Sequence, residues 1–86
     1  MLKTNTHQFM GDTAQIEHLR ATMKCAITNE RYSDAIFFAD KILHLFTTSQ
    51  RSFQQESEFL KAVYELANCY LLNREFLRCI ELLEKY

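Results

Sequence analysis

The chain has 86 residues, 48% of them apolar and 24% charged, with one Gly, no Pro and no Trp. That length bounds it to one small domain, and that apolar share excludes intrinsic disorder. The net charge of −1, from ten Lys and Arg scattered among eleven Asp and Glu, gives no electrostatic footprint for nucleic acid.

A chain so poor in Gly and Pro lacks the punctuation of strands and β-turns, so an all-α domain is the economical reading. The longest apolar run, Ala35 to Ala39, falls far short of the roughly 20 residues that cross a bilayer. The N-terminus, MLKTNTHQFMGD, has neither a signal-peptide core nor an Arg-rich amphipathic character. The expected location is the nucleus or cytoplasm. Cys25, Cys69 and Cys79 are odd in number and follow no ligand-like spacing, which indicates neither disulfides nor a metal. They are expected to be small buried side chains.

Residues 1–11 surround the apolar pair Phe9 and Met10 with polar residues and read as an irregular lead-in. Asp12 or Thr13 can cap a helix that continues through Asn29, with Ile16, Leu19, Met23, Ala26 and Ile27 on one face. Asn29 supplies the left-handed residue that stops it. Ser33 caps the next helix, about residues 34–46, whose inward positions are Ala35, Phe38, Ala39, Ile42 and Leu43. Residues 12–46 thus form a first helix pair. The polar stretch 47–56, TTSQRSFQQE, is an insertion, either a loop or an extension of the third helix. Residues 57–86 form a second pair, with Val63, Leu66, Ala67, Tyr70 and Leu71 at the spacing of one helical face and Phe76, Cys79, Ile80 and Leu83 inward on the other helix.

The two pairs are copies of one another. Asn29-Glu30-Arg31-Tyr32 has the chemistry of Asn73-Arg74-Glu75-Phe76, and Ala35 stands to Tyr32 as Cys79 stands to Phe76, 44 residues on. The second pair fits the tetratricopeptide repeat (TPR) pattern W-x2-L-G-x2-Y then A-x3-F. Val63, Leu66, Ala67 and Tyr70 take its first four places, and Cys79 and Leu83 its last two. The period of such repeats is about 34 residues, so about ten extra lie between the copies, in the 47–56 stretch. The expected fold is an α-α solenoid of about two TPR-like hairpins with an atypical first helix.

Two segments resemble a particular TPR family. Tyr32-Ser33-Asp34-Ala35-Ile36-Phe37-Phe38-Ala39-Asp40-Lys41-Ile42 is similar to a run near the N-terminus of the TPR subunits of the anaphase-promoting complex, and Leu66-Ala67-Asn68-Cys69-Tyr70 is similar to their Leu-Ala-x-Cys-Tyr segment. The resemblance is nearest to the cell-division-cycle twenty-seven type, with the sixteen type next. It implies a scaffold in a ubiquitin ligase that acts in mitosis, whose N-terminal repeats pair two copies and whose other partners are further protein subunits.

No catalytic, cofactor or metal constellation stands out: His7, His18 and His44 are far apart and no Gly-rich loop exists to hold phosphate. The chain therefore reads as a protein-interaction module and not an enzyme. The apolar residues the repeat does not obviously bury, Phe9, Met10, Phe37, Leu71, Leu72, Leu82 and Tyr86, are the candidate association surface, most simply that of a homodimer. The alternative is a small adaptor gripping a peptide carboxylate on its concave face with Arg20, Lys24 and Asn68, although Glu65 on the same face would repel that carboxylate.

Overall fold

The computed structural model describes the backbone of residues 2–48 and 53–86, and the side chains of residues 14–46 and 56–86. Among the described residues four helices follow one another: α1 (Leu2–Thr28), α2 (Tyr32–Thr48), α3 (Phe53–Leu72) and α4 (Phe76–Lys85). Each packs on its neighbour in sequence, α1 on α2, α2 on α3 and α3 on α4, and no strand occurs among the described residues. The chain is an all-α array of two TPR-like hairpins.

The helices run longer than the sequence predicts. Residues 2–11, expected to be irregular, belong to α1, and neither Asp12 nor Thr13 begins a helix. Nothing there removes a backbone N–H, and the single Gly11 costs only about 1 kcal/mol inside a helix. The insertion is likewise mostly helical. α2 extends through Thr48 and α3 begins at Phe53, so of the 47–56 stretch only residues 49–52 lie outside the described residues.

Both hairpins turn by the same device. At the end of α1, Arg31 N–H donates to Ala26 C=O at 2.8 Å and Glu30 N–H to Ile27 C=O at 3.0 Å, with Glu30 at φ 59°. At the end of α3, Glu75 N–H donates to Tyr70 C=O at 2.8 Å and Arg74 N–H to Leu71 C=O at 3.0 Å, with Arg74 at φ 61°. These are Schellman closures, in which one left-handed residue lets two carbonyls of the last turn find donors. The left-handed residue is the one after each Asn, contrary to the sequence expectation. Asn29 stays αR-compatible and spends its amide on Cys25 C=O at 2.9 Å, while Asn73 donates to the Glu75 carboxylate at 2.8 Å.

The reversal is so tight that the next helix starts at once. Ala35 N–H already bonds Arg31 C=O at 3.0 Å, so Ser33 lies inside the first turn of α2 and does not cap it. Glu75 holds the cap position of α4 without a side-chain cap bond; its carboxylate bonds Asn73 and pairs with Arg78 at 3.5 Å.

The core runs along the seam of α1, α2 and α3. Leu19, Met23 and Ala26 meet Ala35, Ala39, Ile42, Leu43 and Phe46, and Phe59, Ala62, Val63, Leu66 and Cys69 complete it. Ala35, Ala39 and Ala62 are essentially inaccessible, as small residues must be where helix backbones approach closely. Phe38 and Tyr70, expected inward, are half-buried against this core. Cys69 and Cys79 are buried as expected, but Cys25 is exposed, because it falls on the outer side of α1 beside the buried Ala26.

Candidate protein-interaction surfaces

α4 departs most from the sequence reading. Of Phe76, Cys79, Ile80 and Leu83, all expected inward, only Cys79 is buried; Phe76 and Ile80 are more than half exposed. Cys79 and the half-buried Leu82 face α3, and the remaining row points where no described helix lies. Ten large apolar residues are exposed among the described residues, and nine of them lie from Leu60 onward, so the apolar surface belongs to the second hairpin.

The predicted association residues scatter over this frame. Leu71 and Leu72 are exposed at the end of α3, next to Phe76 and Leu77 of α4 in the chain. Leu82 is half-buried and packs against the core. Tyr86 keeps 43% of its surface while its ring meets Phe59 edge-on at 5.2 Å, tying the chain's last residue to α3. Phe9 and Met10 lie in α1, but their side chains are outside the described residues.

Phe37 stands apart on the first hairpin. It is 55% exposed, meets Phe38 edge-on at 5.5 Å and carries the Lys41 ammonium 4.8 Å from its ring centre. Together with Gln15, Leu19, Asp40, His44 and Leu45 it lines an open groove between α1 and α2. Leu60, Tyr64, Leu77, Ile80 and Leu83 are exposed apolar residues that the sequence reading did not place on the surface. The 60, 64, 67, 71 spacing could have found the α3 set, because it forms a second apolar row beside the buried one.

The residues proposed to clamp a peptide are not arranged to do so. Arg20 binds Glu65 through Nε at 3.0 and 2.9 Å from the two carboxylate oxygens and through Nη2 at 2.8 Å, with Glu58 at 3.8 Å from Nη1. Both members of the Arg20–Glu65 pair are largely covered, so this guanidinium is held by α3 and not offered to a ligand. Lys24 and Asn68 are exposed, Asn68 on a shallow groove of α3 with Ser57, Leu60, Lys61 and Tyr64. Glu65 thus acts across the α1–α3 gap instead of repelling a bound carboxylate.

The remaining polar chemistry is structural. Burial, with the Glu65 carboxylate adding to it, pushes the Cys69 thiol up to about 11, so it stays protonated at neutral pH and is no nucleophile. Burial and then Asp40 raise the Tyr70 hydroxyl, against the opposing pull of Arg78. Among the described residues no group of three or more His, Cys, Asp or Glu side chains could hold a metal ion, and no helix is long and apolar enough to cross a membrane.

A pair of TPR-like hairpins with one bare apolar row is the setting in which relatives decide the family. Residues 28–86 match the family described as anaphase-promoting complex, cyclosome, subunit 3. The chain belongs to that family. It is also 34% identical over 76 residues to the anaphase-promoting complex subunit 6 of Dictyostelium discoideum, a match that takes in 87% of this chain and 8% of that protein. The chain therefore spans less than a tenth of the length of that curated relative. No solved structure matches it. Within the family match lie the whole of α2, α3 and α4, whereas nearly all of α1, including Ala26 and Ile27 of the first turn, precedes it.

Proposed function

We propose that this chain is a non-catalytic protein-interaction scaffold, a segment of a TPR subunit of an anaphase-promoting-complex-like ubiquitin ligase in the nucleus or cytoplasm. Its own contribution is association: pairing of two copies and attachment to further protein subunits. Among subunit types the twenty-seven type is preferred and the sixteen type is second. No cofactor, small-molecule substrate, membrane or nucleic acid enters this role.

The observation that carries the reading is the bare row Phe76, Ile80 and Leu83 beside Leu71 and Tyr64 in a chain of this family. A small domain buries a limited share of its surface, about 60–65%, and is only marginally stable alone. Covering such a row supplies apolar burial at about 25 cal/mol per Å² that the fold by itself leaves unused. The peptide-clamp alternative finds no support in the occupied Arg20.

The test is co-expression of two differently tagged copies in cells of the source organism, followed by capture on one tag. The reading expects the second copy and ubiquitin-ligase subunits in the same fraction. Recovery of one tagged copy alone, at normal expression of both, would contradict it.

A further inference from the structure

Arg20, Glu58 and Glu65 are additions to the repeat. At the 44-residue offset between the copies their counterparts are Tyr64, Ala14 and Ala21, so neither the base nor either acid holds a place that the hairpin pattern requires. The two hairpins meet along one seam, α2 on α3, while α1 with α3 on one side of it and α2 with α4 on the other do not pack as closely as consecutive helices do. The first gap is bridged. Arg20 holds Glu65 through Nε and Nη2 at 2.8–3.0 Å, and its Nη1 lies 3.8 Å from Glu58. The second gap is open: a cavity of about 240 Å³ lies between α2 and α4 over Leu66 and Tyr70, walled by Asp40, Leu43, Leu82 and Lys85.

We infer that Arg20, Glu65 and Glu58 form a two-position ionic latch that sets the angle between the hairpins. The latch is closed while Arg20 sits on Glu65, and open when the hairpins turn about the α2–α3 seam and Arg20 passes to Glu58. It is independent of the scaffold reading, since it concerns how the chain's own hairpins are held.

Two covered charges part only at a cost, because a guanidinium or carboxylate left unpaired away from water is strongly destabilising. A second acid within reach removes that penalty for Arg20. Glu58 lies two turns before Glu65 on the same side of α3, about 10 Å along the helix axis, so a tilt of α1 against α3 exchanges one carboxylate for the other. The widened gap then admits water to Glu65. The two positions are unequal: the Glu65 pair is two-pronged and largely covered, whereas Glu58 is half-exposed and approached by one nitrogen, so the closed position predominates. A close-packed chain turns about a hinge only where it has room, and the cavity lets α4 approach α2 as α1 and α3 part. In a solenoid the rotation between successive hairpins sets the curvature, so the latch governs the curvature of the surface that α1 and α3 share.

The experiment places spin labels on the exposed native Cys25 of α1 and on Asn68→Cys, an exposed position of α3, in the full chain; Cys69 and Cys79 are buried and stay unlabelled. Dipolar electron paramagnetic resonance reads the separation. One main short distance is expected. Glu65→Gln, which removes the charge and keeps the shape, should lengthen it by several Å to a second defined distance. Adding Glu58→Gln should replace that distance with a broad distribution, because no second seat remains, and exchanging the pair by Arg20→Glu with Glu65→Arg should restore the short one. Helical circular dichroism certifies the fold of each variant. Arg20→Lys, which lacks the rigid fork, keeps the test open if Glu65→Gln unfolds, and is expected to populate both distances. A short distance unchanged by Glu65→Gln or by Arg20→Lys overturns the latch and leaves the pair a static tie. The same longer distance with and without Glu58→Gln overturns it too, since Glu58 is then no second position.

Discussion

Arg20 and Glu65, 45 residues apart, form a two-pronged ion pair at 2.8–3.0 Å that ties the first helix of one hairpin to the first helix of the other. It is the described polar contact that spans the α1–α3 gap most closely, and it explains why a charged residue occupies a place that Tyr64 takes in the second copy. Glu58 lies within 3.8 Å and adds a weaker, more exposed contact.

Truncating either member strands the other in a largely covered site. Arg20→Ala and Glu65→Ala are each expected to lower stability by about 1.5–3 kcal/mol, in the range of hydrogen bonds to charged groups. The double variant should cost less than the two singles together. Urea titrations of the four-member cycle read the coupling, which should exceed the ~1 kcal/mol ceiling of exposed pairs.

The Cys69 thiol makes stability depend on pH in the alkaline range. Its pKa is about 11 in the folded chain against 9.0 for the free group, so the folded state holds the proton more firmly. The contribution is fully present below about pH 9 and is lost as pH rises toward about 11. It amounts to about 2–3 kcal/mol at most. Cys69→Ala should flatten this decline in thermal melts between those pH values.

The left-handed residues at the two turns are Glu30 and Arg74, where a Cβ is disfavoured by about 1–2 kcal/mol. Arg74→Gly is expected to raise stability by about 0.5–1 kcal/mol, the relief of strain exceeding the added freedom of the unfolded chain. Asn73→Gly should give no such gain, because residue 73 is not the left-handed one. Denaturation midpoints of the two variants distinguish them.

Thiol labelling checks the burial of the three cysteines. Cys25 is exposed and is expected to react with a maleimide or disulfide reagent in the folded chain, while Cys69 and Cys79 react at the rate of unfolding. Mass spectrometry after brief exposure should find one adduct, at Cys25. Equal modification of all three would contradict the packing of α3 on its neighbours.

The first three helices were legible because their inward rows alternate small and large residues at helical spacing, and because each row has a partner within the chain. Ala35, Ala39, Leu66 and Ala67 are buried as their pattern requires. α4 carries an equally clear row, yet only Cys79 is covered, since amphipathicity states that a face seeks cover without saying whether the same chain supplies it. Helix starts were misplaced for a different reason. Asp12, Thr13 and Ser33 are good caps, but capping chemistry is only a local preference, and the Schellman turns and the missing prolines decided the boundaries instead. Arg20 looked like a ligand-binding cation on one helix; its partner is 45 residues away, where sequence spacing has no reach.

The central claim, that this chain works by association, is tested most directly by sedimentation equilibrium of the 86-residue protein over a hundredfold concentration range, with helical circular dichroism at each concentration. The account expects a dimer mass whose helicity falls on dilution, as the bare apolar surface loses its cover. A monomer of undiminished helicity at every concentration would contradict it.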